Sequence, residues 1–301
     1  MVRKTQPEKS AQGVEKRLDG VGAGMILSFA RKIVRSLRKK EIISVPQFVD
    51  YNGLLKNKVF CVLGGTGGIG SAVAKSVLQF GGGIVLTGTN EKKLSEKKAE
   101  LEKQSEKTIS SIVLNMIETE KIEIKIEEIT SLAGKVDGFV IASGVHTENV
   151  DFWKMTEAEF DRVMDINLKG VYFFCKAAAR YFVQNKIKGK ILLVSSSRGD
   201  EPAWSPYGIS KWGMNGMTKG LAKILSPYGI TVNAIAPGTT ATPLVNYKEG
   251  ESIYSEENFF GRMITAEEVG NLAAFLLSDS GNMMSGEVVH ISGGRGVFDV
   301  R

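Results

Sequence analysis

Tyr207 and Lys211, in the run Tyr207-Gly-Ile-Ser-Lys211, are the residue pair best suited to chemistry in this chain. Four residues apart on a helix, the two side chains share one face. A tyrosine titrates near ~10 in water, and a neighbouring ammonium favours the phenolate and brings the phenol toward duty as an acid/base near neutrality. The spacing alone is weak, since an ordinary helix face produces it often. Here it lies just after an apolar, strand-like run, Ile191–Val194, that ends in Ser195-Ser196-Ser197. The two histidines, His146 and His290, lack a partner set for a metal or for a Ser–His pair and read as ordinary polar positions. Cys61 and Cys175 have no CxxC spacing and read as buried thiols in a reducing compartment.

A second feature lies upstream. Gly64-Gly-Thr-Gly-Gly-Ile-Gly70 satisfies both GxGxxG and GxxxGxG, follows an apolar run and opens a helical pattern. Such glycines allow a tight turn and close backbone approach to a pyrophosphate, while the helix N-terminus offers free N–H groups. Gly64, Thr66, Gly67, Gly68, Ile69 and Gly70 are therefore expected to hold a dinucleotide. At the end of the next strand an acidic residue would accept from a ribose 2′-OH. This chain has Thr87-Gly-Thr89-Asn90-Glu-Lys-Lys93 instead. Thr89 and Asn90 as donors, with Lys92 or Lys93 as charge, favour NADP(H); Glu91 and the lack of an Arg keep NAD(H) as the alternative.

Placing these residues requires alternating elements. Val59–Leu63, Ile84–Thr87, Ile109–Leu114, Gly138–Ile141, Ile191–Val194, Thr231–Ile235 and Val288–Ile291 read as buried strands. Helical patterns fall near 69–80, 91–106, 118–132, 156–184, 207–226 and 266–278. That alternation predicts an α/β fold, a doubly wound parallel sheet of about seven strands with helices on both faces. Residues 1–50 carry eleven Lys/Arg against five Asp/Glu, so the whole net charge of +6 sits there and residues 51–301 are neutral. A nucleic-acid partner for the main domain loses its support. Within the leader, residues 25–40 form a basic amphipathic helix suited to an anionic membrane surface or to a protein partner. No secretory signal and no membrane-spanning run is read from the sequence. The expectation is a cytoplasmic protein divided into a 1–50 extension and a 51–301 catalytic domain.

Taken in order, Gly64/Gly68/Gly70, Ser196 and Tyr207/Lys211 resemble the short-chain dehydrogenase/reductase family, over residues ~55–295. Asn167 in Asp-Ile-Asn-Leu-Lys-Gly and Val232-Asn-Ala-Ile-Ala-Pro-Gly238 followed by Thr242 extend the match. The resemblance implies a Rossmann-type fold and an oxidoreductase that interconverts a carbonyl and a secondary alcohol. It further implies Tyr207 as acid/base, Lys211 lowering its pKa and holding the nicotinamide ribose, and Ser196 orienting the substrate oxygen, chosen because Ser196 and Gly199 meet Ser-x-x-Gly. Asn167 would anchor a water that links Lys211 to solvent, and Pro237, Gly238 and Thr242 would contact the nicotinamide end. Asn115 stands where an Asp usually meets the adenine, and Ala142-Ser143-Gly144 replaces the usual amide-rich turn, which leaves its side-chain hydrogen bonds in doubt. A homodimer or homotetramer is implied as well.

The residues between 243 and 261 are expected to form a lid, and Trp204 to stand in the pocket wall or in the core. Neither selects among polyols, steroids and 3-oxoacyl thioesters. The competing reading is a non-catalytic nucleotide-binding scaffold docked through the leader helix; intact Ser196, Tyr207 and Lys211 argue against it.

Overall fold

The structure is a computed structural model that describes residues 53–105, 109–148 and 151–297. The leader, with its expected helix over residues 25–40, lies outside the described residues.

Seven strands form one parallel sheet: β1 (Val59–Leu63), β2 (Gly83–Gly88), β3 (Ser110–Val113), β4 (Gly138–Ile141), β5 (Lys190–Val194), β6 (Thr231–Pro237) and β7 (Val288–Ile291). Their order is β3-β2-β1-β4-β5-β6-β7, and every neighbouring pair is parallel. Order reverses between β1 and β4, which opens a crevice at the carboxyl ends of these two strands. Successive residues of a strand face opposite sides, and β1 feeds both cores. Cys61 and Leu63 join one cluster, Phe60 and Val62 the other.

Three helices cover each face. On the Cys61 side lie α3 (Ile122–Ala133), α5 (Gly170–Gln184) and α6 (Pro206–Leu225), packed through Ile126, Ile129, Phe174, Phe182, Met214 and Leu225. Phe139 of β4 meets Phe174 edge-on with ring centroids 5.3 Å apart. On the Phe60 side lie α1 (Gly68–Gln79), α2 (Glu91–Glu102) and α7 (Ala266–Leu277), packed through Val73, Val77, Leu94, Leu101, Val269 and Leu277. Gly270 lets α7 approach α1 closely, since a Cβ there would sit 2.7 Å from Ala72 O.

The expected helix over 156–184 is in fact three pieces: α4 (Glu157–Met164), a π turn over Asp165–Lys169 that contains Asn167, and α5. Hydrophobic periodicity reports which face is buried and cannot register a single wide turn, which inserts without reversing that face. β3 is shorter by one residue at each end than the apolar run suggests. The segment 243–261, expected to form a lid, holds a 3₁₀ turn (Pro243–Val245) and a bridge between Tyr254 and Arg262.

Candidate active site

The glycine turn forms a cradle at the mouth of the crevice. Gly64 takes φ +72°, and a Cβ on it would sit 2.8 Å from Ser143 N. That positive φ and that close approach both demand glycine. A Cβ on Gly70 would meet Gly64 O at 2.2 Å. Gly67 caps α1 without a side-chain hydrogen bond, and the first turn carries no acid. The leading N–H groups of a helix have no intrahelical partner, so this uncapped end is fitted to an anion.

Across the crevice, Ser143 follows β4, and its Oγ is buried with no hydrogen-bond partner among the described residues. An orphaned hydroxyl beside a glycine cradle fits a bound dinucleotide. Ala142 N donates to Leu63 O at 3.0 Å, which ties this segment to the end of β1. From β6 and the loop after it, Pro237 is buried, Gly238 N donates to Ile291 O at 3.0 Å, and Thr242 is buried against the start of α1. A Cβ on Gly68 would fall 2.5 Å from Thr242 Cγ2.

At the end of β2, Thr89 and Asn90 are exposed, and Asn90 Oδ1 caps α2 by accepting from Lys93 N at 2.9 Å. Only its amide nitrogen remains for a ligand. Asn115 likewise spends its oxygen on Ile117 N (3.2 Å), while its nitrogen donates to Glu118 at 3.3 Å.

Helix α6 delivers the acid/base pair. Ser205 caps it by accepting from Gly208 N, and Pro206 opens it, which sets Tyr207 in the first turn. The side chain of Ser196 lies beside the Tyr207 phenol and favours its ionised form. Ser196 Oγ also accepts from Arg198 N at 3.2 Å. Its neighbours are otherwise engaged: Ser195 Oγ donates to Asn215 Oδ1 at 2.6 Å, and Ser197 packs under Gly296. Among the three serines, Ser196 is the one whose side chain lies beside the phenol.

Lys211 is buried, and its Nζ donates to Val194 O at 2.9 Å. Desolvation lowers its pKa to about 8. The expectation that Lys211 makes the phenol acidic is corrected here. Burial raises the Tyr207 pKa above its ordinary value, and the effects pulling it down come from Ser196, Arg198 and Arg295. The lysine sits 5.6 Å from the ring centroid with its ammonium turned to a strand-end carbonyl, and burial acts on the phenol more strongly than any neighbour.

Asn167, fully buried, grips the chain after Gly144. Its Oδ1 accepts from Val145 N at 2.9 Å and its Nδ2 donates to Val145 O at 2.8 Å. Both ends of the Asn167 amide are thus engaged within the protein. One residue on, sequence reasoning missed a neighbour of the phenol. The His146 ring stacks on Tyr207, centroids 4.1 Å apart and 16° from parallel. No local pattern announces such a contact across 61 positions. Trp204 is exposed, so the core is excluded for it.

Comparison with known proteins now decides the family. A family profile described as enoyl-(acyl carrier protein) reductase matches residues 64–295. The chain belongs to the short-chain dehydrogenase/reductase family. It is 31% identical to a 3-oxoacyl-(acyl-carrier-protein) reductase of Aquifex aeolicus, covering 80% of this chain and 98% of that one. It is 32% identical to a 3alpha-hydroxysteroid dehydrogenase of Mediterraneibacter gnavus, over 80% of this chain and 97% of the relative. The crystal structure of levodione reductase superposes with a TM-score of 0.76 at 26% identity, covering 81% of this chain and all of that one. This short-chain dehydrogenase/reductase is thus an NAD(P)(H)-dependent oxidoreductase acting between a carbonyl and an alcohol. Among the described residues, no helix is long and apolar enough to cross a membrane.

Proposed function

We propose that the chain reduces a small-molecule ketone to a secondary alcohol, with Tyr207 as general acid and NADP(H) as the preferred dinucleotide. The observation that carries this reading is the convergence of Tyr207, Ser196 and buried Lys211 at the crevice whose other wall is the glycine cradle. When bound, the dinucleotide supplies hydride to the carbonyl carbon. Tyr207 gives its proton to the oxygen as charge develops there, and takes it back in the reverse direction. A phenol held above its ordinary pKa is fully protonated at neutral pH, which suits the reducing direction. Ser196 Oγ orients the same oxygen. Lys211, anchored on Val194 O, holds the nicotinamide ribose.

Gly64, Thr66, Gly67, Gly68, Ile69 and Gly70 would take the pyrophosphate, and Ala142, Ser143 and Gly144 the path beyond it. Asn115 would lie at the adenine, and Pro237, Gly238 and Thr242 at the nicotinamide. The preference for NADP(H) rests on exposed Thr89, Asn90, Lys92 and Lys93 at the β2 turn, where a ribose-binding acid is lacking. Relatives named for 3-oxoacyl and 3alpha-hydroxysteroid groups support a carbonyl or alcohol carbon as the reacting centre. Exposed Phe160, Tyr172, Phe173 and Trp212 on α4, α5 and α6 support a homodimer or homotetramer. Buried Cys61 and Cys175, their thiols pushed up by desolvation, fit a cytoplasmic protein with no disulfide. A peripheral membrane or protein contact through residues 25–40 is part of the same proposal, and anionic-liposome flotation with and without those residues tests it.

The deciding experiment follows NADPH consumption across a panel of ketones, with Tyr207→Phe as control. Turnover is expected with the native chain and to fall on the order of 10²–10⁴-fold in the variant, with dinucleotide affinity within a few-fold. Dinucleotide binding without turnover of any ketone would favour a non-catalytic scaffold.

A further inference from the structure

The polar groups around the Tyr207 hydroxyl are almost all committed. Ser196 Oγ accepts from Arg198 N at 3.2 Å and lies beside the phenol. Lys211 is held by Val194 O, and both ends of the Asn167 amide by Val145. Arg198 pairs with Glu201 at 2.9 Å. The imidazole of His146 differs: its ring nitrogens make no hydrogen bond among the described residues, although one face of the ring lies on the Tyr207 phenol.

That ring is also held in place from both sides. Asn167 clamps the preceding residue through its N–H and its carbonyl. Thr147 Oγ1, on the following residue, accepts from Tyr207 N at 3.2 Å. The carbonyl of His146 itself accepts from Arg162 at 2.8 Å, and Arg162 is in turn fixed by Glu159 at 2.7 Å. Four hydrogen bonds on three consecutive residues are a large outlay of order for a side chain that remains exposed. Burial, then Lys211 and Arg198, lowers the imidazole pKa, so the ring is neutral at pH 7. A neutral imidazole has one N–H donor and one acceptor nitrogen.

We infer that His146 is a specificity-determining residue that hydrogen-bonds a second oxygen of the substrate. It would select ketones carrying another oxygen function, hydroxyl or carbonyl, within two carbons of the reacting carbonyl. The inference rests on the ketone reduction proposed above. The geometry sets the reach: the stack places the imidazole beside the phenol whose hydroxyl must meet the first oxygen. A flanking oxygen on the same small molecule therefore falls at the ring edge, whereas a simple ketone leaves the nitrogens to solvent.

The test compares ethyl acetoacetate and 3-hydroxy-2-butanone with 2-hexanone, in the native chain, His146→Phe and His146→Gln. Phenylalanine keeps a flat ring on Tyr207 and removes the nitrogens; glutamine restores a donor and an acceptor. Expected is a loss of about tenfold in the kcat/KM ratio of oxygenated ketone to 2-hexanone in His146→Phe, the worth of one net hydrogen bond, with partial recovery in His146→Gln. A readout independent of turnover is the imidazole nitrogen NMR spectrum of the chain loaded with NADP+, which the presence of only two histidines keeps simple. The His146 signals should shift with ethyl acetoacetate and stay still with 2-hexanone. Turnover with an unmoved ratio and unmoved His146 signals would overturn the inference and spare the proposed function. Shifted signals with no turnover of any ketone would support the inference and sink the proposed function.

Discussion

Lys211 Nζ donates to Val194 O at 2.9 Å while standing 5.6 Å from the centroid of the Tyr207 ring. The ammonium thus meets the carboxyl end of β5 and lies over the face of the ring. Two buried groups that both resist charging follow from this placement, the lysine lowered and the phenol raised.

Those shifts carry a stability signature. Lys211 titrates at about 8 in the fold against 10.5 for the ordinary side chain, and Lys190, also buried, is lowered to about 8. Between these values the unfolded chain binds more protons than the fold, so stability rises with pH by about 1.4 kcal/mol per pH unit for each group. Below the folded value both states hold the proton and the slope vanishes. Above the ordinary tyrosine range Tyr207 acts oppositely, because the fold retains a proton that the unfolded chain has lost. The urea midpoint should climb from about pH 8 to about pH 10. Lys211→Met and Lys190→Met should each flatten the climb, and an undiminished slope in both would show that neither ammonium is desolvated.

Gly68 and Thr242 should be coupled through the dinucleotide site. Alanine at 68 places a methyl 2.5 Å from Thr242 Cγ2 and forces the loop after β6 off the start of α1. NADP+ affinity in Gly68→Ala is expected to fall by about tenfold or more, roughly 1.4 kcal/mol, with the melting temperature little changed. Thr242→Ser removes the clashing methyl, and the double variant should recover part of the loss. Titration calorimetry on the four proteins measures the coupling.

Arg295 holds three segments together. It pairs with Glu201 at 2.8 Å and with Glu257 of the 243–261 segment, and it donates to Thr239 at 3.0 Å. Its side chain is 13% exposed and that of Glu201 18%, so removing it strands one poorly solvated carboxylate, while Glu257 keeps its access to water. Arg295→Met is expected to cost about 1–3 kcal/mol in urea unfolding and to raise KM more than it lowers kcat. Glu257→Gln should reproduce the KM effect with a smaller loss of stability. An unaltered KM in both would separate the lid from substrate binding.

Cofactor choice is open to a direct switch. An acid at the β2 turn accepts from a ribose 2′-OH and repels a 2′-phosphate. Thr89→Asp should therefore invert the NADP+ to NAD+ affinity ratio, while Asn90→Ala should cost about 1 kcal/mol of stability through its lost α2 cap. Binding measured with both dinucleotides checks each arm.

Much of this was legible before any coordinates. The seven strands, the turn at Gly64–Gly70 and the Tyr207–Lys211 helix face depend on interactions spanning a few residues, and a strand or a helix writes its period into the chain directly. The same locality limits the reading. The π turn at Asn167 leaves no periodic mark, and Ser195, Ser196 and Ser197 look alike until their partners are known. The sequence by itself determined the sheet, the dinucleotide turn and the chemical types at the reacting centre. Only the tertiary structure decided that His146 lies on Tyr207, that Asn167 spends its amide on Val145, and that the phenol is raised and not lowered. Ring stacking, hydrogen-bond choice and desolvation arise from which distant segments meet and how much water they exclude, and one-dimensional spacing does not encode either.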